Sequence, residues 1–330
     1  MARIAPSNKP NSCQQDLINR KYGMFIHFGI NTFNDTEWSD GTLPIESYNP
    51  ETVYVESWIK NAYEAGMNYV IMITKHHDGF CMWDTDTTDY CVNKSPNKTD
   101  IIMEARKACD KYGIKLGLYY SLWDRHEKCY ENDEEYTEYM ITHLKELLGG
   151  KYGEICELWL DGGWEKSNDA WNIPKLYDTV KEMQPECAIT VNLTIGDYNS
   201  VGSPKKANSP IPKKYKKNQP MRYFPSDFRL FDPYFTRKND PKQYDHNGES
   251  YYLPFEATIC IRNMKNWFWD PVYTKEKLCS KRFIIKKYNL LINAQNALVI
   301  NLAPNIHGVQ EKSDVDRLQE VARELNISRI

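Results

Sequence analysis

The sequence predicts an α/β protein: one domain, 1–330, folded as an irregular, TIM-like (β/α)8 barrel behind a polar lead-in at 1–22. Three observations carry that expectation. Eight short, mostly apolar runs recur along the chain, each too short for a stable helix and continuous enough for a strand buried on both faces. Most are separated by segments with apolar residues at helical spacing, the alternation a parallel barrel needs. Ionisable or amide side chains stand at or just past nearly every run, where barrels of this kind build their chemistry.

The first run is Gly-Met-Phe-Ile-His-Phe-Gly at 23–29. A helix over 58–65 closes on Gly66. The second strand, 69–74, runs into Lys-His-His-Asp-Gly-Phe at 75–80. Thr99 or Asp100 caps a helix with Ile101, Ile102, Ala105, Ala108 and Cys109 on one face, and Gly113 ends it. Strand three is 115–121. An acidic helix start at 131–135 leads to Leu148 and a Gly-Gly stop. Strand four is 155–160, followed by Asp161-Gly162-Gly163. A helix over 173–184 stops at Pro185, and strand five covers 188–194. Then the rhythm breaks. Residues 196–220, rich in Pro, Lys, Asn and Ser with a lysine-rich stretch at 213–217, read as a solvated loop. Strand six is placed at 221–225, a second polar loop at 233–250, and strand seven at 251–260. A helix from Lys275 to Leu291 with Thr274 as cap, strand eight at 297–302 and a last helix capped by Ser313 complete the set. A doubly wound open sheet is the rival. It would show a Gly-rich phosphate turn after the first strand, and His27-Phe28-Gly29-Ile30-Asn31 is not one.

With 42 basic and 45 acidic residues the net charge is −3, which points to neither a nucleic-acid nor a membrane partner. No run of 18 apolar residues exists to span a bilayer. Nine cysteines without CxxC pairs read as reduced thiols. The start of the chain has no apolar stretch of signal-peptide length. The expectation is a cytoplasmic protein, or the trimmed form of a secreted or periplasmic one, with the sequons at Asn97 and Asn326 idle. A homo-oligomer is left open. The 23 Tyr and 9 Trp suit stacking on sugar rings as well as core packing.

The strand ends supply His27, His76 and His77, Tyr119 and Tyr120, Trp159 and Asp161, Asn192, Asp227, Glu256 and Asn301. In a barrel they converge on one mouth. Three chemistries compete for such a set. A zinc hydrolase would use His27, His76, His77 and Asp161. However, adjacent histidines on a strand point to opposite faces, and neither HxH nor HExxH occurs. A Schiff-base barrel would need a strand-end lysine, and only Lys75 is near one. Glycoside hydrolysis needs a pair of carboxyl groups, about 5–5.5 Å apart in a retaining enzyme. Asp161 with Asp227 or Glu256 supplies a pair, and no metal or organic cofactor is called for.

Four ordered motifs then carry a resemblance: GMFIHFG at 23–29, KHHDGF at 75–80, GLYYS at 117–121 and LWLDGGW at 158–164. With Glu37-Trp38, Ile261-Arg262 and Trp267-Phe268, the chain resembles the α-L-fucosidases of glycoside hydrolase family 29 over nearly its whole length. The resemblance implies a (β/α)8-like catalytic domain, here without the C-terminal β-sandwich many members add, and a retaining mechanism on terminal α-L-fucose. It implies Asp161 as nucleophile and His27, Glu37, Trp38, His76, His77, Trp159, Arg222 and one of Tyr119 and Tyr120 as sugar-binding residues, Tyr120 being favoured. The acid/base varies in position within the family. Arg-Tyr-Phe-Pro-Ser-Asp at 222–227 resembles the stretch that holds it in the α-1,3/1,4 branch, which favours Asp227. Glu256 is the competitor and Asp232 a third. Two other readings stay open: a glycosidase for a similar sugar such as α-L-galactose, with extra room where the fucose methyl would sit, and a glycan-binding pseudoenzyme, which gains if the departures within that stretch leave no acid in reach.

Overall fold

The structure, a computed structural model, describes residues 3–196, 201, 217–232, 236, 239–262 and 266–330. Most of the loop expected at 196–220, with nearly all of its lysine-rich stretch, lies outside the described residues, as does part of 233–250.

The lead-in contains a helix, α1 (Ser12–Arg20). Its signal was a capping box: Asn11 accepts from Gln14 N, and the Gln14 side chain reaches back to the Asn11 N–H. After it come β1 (Tyr22–Ile26), α2 (Val55–Glu64), β2 (Tyr69–Lys75), α3 (Ile101–Tyr112), β3 (Lys115–Ser121) and α4 (Asp133–Leu148). Next are β4 (Ile155–Asp161), α5 (Asn168–Trp171), α6 (Ile173–Met183), β5 (Ala188–Val191) and β6 (Arg229–Leu230). An antiparallel hairpin, β7 (Gln243–His246) with β8 (Glu249–Tyr252), precedes β9 (Phe255–Cys260), α7 (Lys281–Ile292), β10 (Ala297–Asn301) and α8 (Lys312–Leu325).

Eight strands form one sheet in the order β5-β4-β3-β2-β1-β10-β9-β6, every pairing parallel. It curls into a (β/α)8 barrel with one seam, between β5 and β6, where no continuous ladder forms among the described residues. Two backbone bonds, Asp227 N to Ile189 O (2.8 Å) and Thr194 N to Leu230 O (3.2 Å), and several side chains stitch that seam. Asp227 Oδ2 accepts from Ile189 N (2.9 Å), Thr190 Oγ1 donates to Phe228 O (2.7 Å), and Thr194 Oγ1 accepts from Leu230 N (2.9 Å). At the top Asn192 Oδ1 accepts from Asp232 N (3.1 Å).

Alternation along each strand sorts the residues. Phe25, Tyr69, Ile71, Tyr119, Trp159, Leu230 and Val299 fill the interior, while Cys13 and Leu17 of α1 plug the floor beneath them. The floor is charged as well as apolar. Arg20 pairs with Glu157, and Tyr69 Oη donates to Glu256 Oε2 at 2.6 Å. A Cβ at Gly23 would lie 2.7 Å from the Tyr69 ring, so glycine there makes room for that ring.

Several boundaries differ from the sequence expectation: the last helix is entered at Glu311 without a side-chain cap, with Ser313 already inside it, and strand five ends at Val191. Strand six is Arg229–Leu230, after Asp227 rather than before it. The seventh barrel strand starts at Phe255, because the run from Tyr251 breaks at Pro254 and its first part belongs to the hairpin. The seventh helix is capped by Ser280, whose side chain accepts from Phe283 N, and Thr274 lies in a separate short turn. Among the described residues no helix is long and apolar enough to cross a membrane.

Candidate active site

The C-terminal ends of the strands meet around Asp161, the last residue of β4. Ser121 of β3 is its register partner, and Tyr119 pairs with Trp159 one layer below. Both oxygens of the Asp161 carboxylate are held: Oδ2 accepts from Tyr119 Oη at 2.9 Å and Oδ1 from Asn192 Nδ2 at 3.0 Å. Burial pushes its pKa up to about 6, and those two donors with the Gly162 N–H hold it down. Gly162 is at φ +73°, and a Cβ there would meet Trp123 Cβ at 2.6 Å, so the chain turns away from Asp161 only with glycine.

Three histidines face this carboxylate and burial keeps all three neutral. It lowers His27 and His77 to about 3 and His76 well below its ordinary value. Their tautomers follow from their partners. Asn301 Nδ2 donates to Trp267 O, so its Oδ1 is the end 2.9 Å from His27 Nδ1, which must donate. Ser121 Oγ donates to Trp123 O, so it accepts from His77 Nδ1 at 2.6 Å. Nε2 of each ring is therefore an acceptor, and that of His77 stands 3.7 Å from Asp161 Oδ2. The gap is too long for a direct hydrogen bond, and neither atom carries a proton for the other. His76 Nδ1 and Trp159 Nε1 are buried without a hydrogen-bond partner among the described residues. Buried orphan polar atoms of this kind are costly and call for a ligand or water.

Aromatic rings make the walls. Tyr119 stacks between Trp159 (5.3 Å) and His76 (5.7 Å), and His27 packs against Trp267 (5.1 Å) and Phe268 (5.3 Å). Trp38, half exposed, sets its edge against His77 and Trp123 at the rim. Glu37 holds the facing loop, accepting from Trp267 N and Phe268 N, and burial raises it to about 7. Asp232, just past β6, accepts from Thr258 Oγ1 at 2.6 Å. Burial, with Asp161 and Glu37 nearby, raises it well above the usual carboxylate range. Among the described residues no three His, Cys, Asp or Glu side chains could together hold a metal ion.

The structure thus gathers His27, Glu37, Trp38, His76, His77, Trp159 and Asp161. It places four expected residues elsewhere. Tyr120 points outward, its Oη 3.0 Å from His143 Nδ1 and its ring under Lys75 Nζ, because Tyr119 takes the inward position that alternates with Ser121. Asp227 sits at the floor, fully buried against Lys181 Nζ (2.8 Å) and Tyr177 Oη (2.9 Å). Glu256 also lies at the floor, since it stands at the start of β9 and not at its end. Arg222 is buried on the wall beside the end of β5, its guanidinium 5.1 Å over Tyr223.

A family model described as alpha-L-fucosidase matches residues 34–328. The chain belongs to the α-L-fucosidase family. It is 30% identical to alpha-L-fucosidase 1 of Arabidopsis thaliana over 333 residues, 96% of this chain and 60% of that one. It therefore spans about three fifths of that relative's length. Among solved α-L-fucosidase-like structures, SpGH29 superposes with a TM-score of 0.76 at 26% identity, covering 98% of this chain and 71% of its own. A glycoside hydrolase 29 family member from an unknown rumen bacterium gives 0.80 at 23% identity, over 98% of this chain and 58% of that one, and bears on the fold alone. In this α-L-fucosidase family member the residues that sequence reasoning underrated are Tyr119, Asn192, Asp232 and Asn301. Period-two counting back from Ser121 would have found Tyr119. Nothing local marks Asp232, because its place depends on where a two-residue strand begins.

Proposed function

We propose that this chain is a retaining exo-α-L-fucosidase in which Asp161 is the nucleophile and Asp232 the acid/base. The observation that carries the reading is the Asp161 carboxylate, fixed at both oxygens inside a ring of neutral histidines with acceptor nitrogens. In the first step Asp161 attacks the anomeric carbon while Asp232 gives its proton to the glycosidic oxygen, and the aglycone leaves. In the second, Asp232 takes a proton from water, water attacks the same carbon, and fucose leaves with retained configuration. Burial beside two other carboxyl groups favours the protonated form of Asp232 that the first step needs. Glu37 is the poorer donor, because both its oxygens already accept backbone N–H groups. The Nε2 atoms of His27 and His77 would accept sugar hydroxyls. The rings of Tyr119 and Trp159 offer an apolar face to a deoxy sugar's methyl group.

The test is hydrolysis of an aryl α-L-fucoside by wild type, Asp161→Ala and Asp232→Ala, with and without azide. Asp161→Ala should be inactive. Asp232→Ala should slow by roughly 10²–10⁴-fold on an unactivated substrate and recover with azide as a fucosyl azide of retained configuration. Recovery in neither variant would remove Asp232 from its role. Turnover of α-L-galactosides in place of fucosides, or fucose binding without turnover, would move the reading to the sister sugar or to a pseudoenzyme. The α-1,3/1,4 preference rested partly on 222–227, whose Asp227 lies at the floor. A panel of fucosyl disaccharides decides linkage.

A further inference from the structure

Asn192 stands one residue past β5 and is buried. Three bonds fix its side-chain amide. Oδ1 accepts from Leu193 N at 2.9 Å and from Asp232 N at 3.1 Å. Two backbone donors converging on one end of an amide identify that end as oxygen, since an NH2 group has nothing to offer them. The other end is therefore Nδ2, and it donates to Asp161 Oδ1 at 3.0 Å. Leu193 is at φ +64°, a left-handed conformation that side-chain-bearing residues seldom adopt. A rare backbone geometry and a side-chain lock thus coincide at one turn.

We infer that Asn192 is a positioning residue: it orients the Asp161 carboxylate, favours its charged form, and ties it to the segment that carries Asp232. The catalytic meaning of this inference rests on the reading of Asp161 as nucleophile. Two features make the tie consequential. First, β5 and β6 share no continuous ladder among the described residues; two separate backbone bonds, Asp227 N to Ile189 O and Thr194 N to Leu230 O, join the segments, so side-chain bonds carry much of what fixes the end of β6 relative to the centre of the mouth. Asn192 is the top stitch of that seam, and its single side chain touches both sides. A double-displacement mechanism needs its two carboxyl groups held at one separation. Second, the groups facing Asp161 are Tyr119 from β3, neutral His77 past β2, Tyr223, and Asp232 past β6. Of these only Tyr119 donates to the carboxylate, so Asn192 supplies one of the few bonds that offset burial.

The experiment reads Asp161 directly. The protein is labelled with ¹³C at aspartate carboxyls, Asp161→Asn assigns the resonance, and the titration midpoint is followed in wild type, Asn192→Ala, Asn192→Asp and Thr190→Val. Asn192→Ala should raise the midpoint by about one unit. Asn192→Asp keeps an acceptor for both backbone N–H groups but turns a second carboxylate on Asp161, so it should fold and raise the midpoint further. Thr190→Val removes a different seam bond and should leave the midpoint in place even if it lowers the melting temperature. On an aryl α-L-fucoside, the acidic limb of kcat/KM should move with the midpoint, and kcat should fall by about tenfold or more with KM nearly constant. An Asn192→Asp protein that folds with an unmoved Asp161 midpoint overturns the inference and leaves a purely structural residue. If wild type hydrolyses no fucoside, the proposed function fails, and the ¹³C titration still decides whether Asn192 favours the charged form of Asp161.

Discussion

Replacing Glu256 by glutamine separates the sequence-based expectation from the structure most sharply. At the floor, Glu256 accepts the Tyr69 O–H and lies against Glu157, whose other oxygen pairs with Arg20. Burial and the Glu157 charge raise Glu256 well above its ordinary value of 4.5, so the folded protein keeps a proton there that the unfolded chain has released at neutral pH. Glu157 is the charged neighbour that favours that proton. Glutamine reproduces both contacts: its carbonyl accepts from Tyr69 and its NH2 donates to Glu157. The expected cost is within about 1 kcal/mol, whereas Glu256→Ala orphans the Tyr69 hydroxyl and opens a cavity, about 2–5 kcal/mol in sum. The pH dependence carries a sign. A raised acid contributes its full stability below the unfolded value and loses it as pH climbs toward the folded one. Wild type should therefore lose stability from about pH 5 to about pH 8 through this group, and Glu256→Gln should lose less. Thermal unfolding at the two pH values, with aryl α-L-fucoside turnover alongside, reads all of this. Turnover within about threefold of wild type is expected, because the floor makes no contact with the reacting atoms. A loss of a hundredfold or more that azide restores as fucosyl azide would put Glu256 at the mouth and refute the argument.

The other expectations are brief. The acidic limb of kcat/KM should fall near the Asp161 value of about 6, since the nucleophile must be charged; a flat profile down to about pH 4 would contradict it. Tyr119→Phe removes one of the donors to Asp161 and should lower kcat/KM at least about tenfold, while Tyr120→Phe should cost only about 1 kcal/mol of stability and no activity. Asp227→Asn leaves Lys181 buried without its charge partner, which should destabilise by about 3–5 kcal/mol in denaturant unfolding, with no rescue by azide. Gly23→Ala drives a methyl group into the Tyr69 ring and should cost about 1–3 kcal/mol by the same measurement.

Much of the fold was legible because buried parallel strands announce themselves as short apolar runs. Seven of the eight barrel strands overlap their predicted runs, from Tyr22–Ile26 to Ala297–Asn301. The eighth is two residues long, Arg229–Leu230, too short to leave a pattern. That single failure moved the acid/base assignment. With the strand read at 221–225, Asp227 lies past its end and at the mouth; with the strand at 229–230, the same residue precedes it and lies at the floor. The Glu256 error has the same form, a strand start taken too early because Tyr251, Tyr252 and Leu253 before Pro254 extend the apolar run. Asp161 was immune, because two glycines mark the end of its strand in the sequence. Tyr120 was lost to a choice between neighbours that alternation settles in favour of Tyr119.

The stitched seam has a consequence for how the ring deforms. Backbone ladders are made by any sequence, so the seven parallel pairings of the barrel resist most substitutions. Closure of the eighth interface has only two backbone bonds among the described residues, Asp227 N to Ile189 O and Thr194 N to Leu230 O, and otherwise depends on the side chains of Thr190, Asn192, Thr194 and Asp227. Mechanical compliance is thereby concentrated on one line that runs from floor to mouth and ends beside Asp161. Transient opening along it would loosen the Asp232 side of the site while the other strands, and with them the three histidines, keep their places.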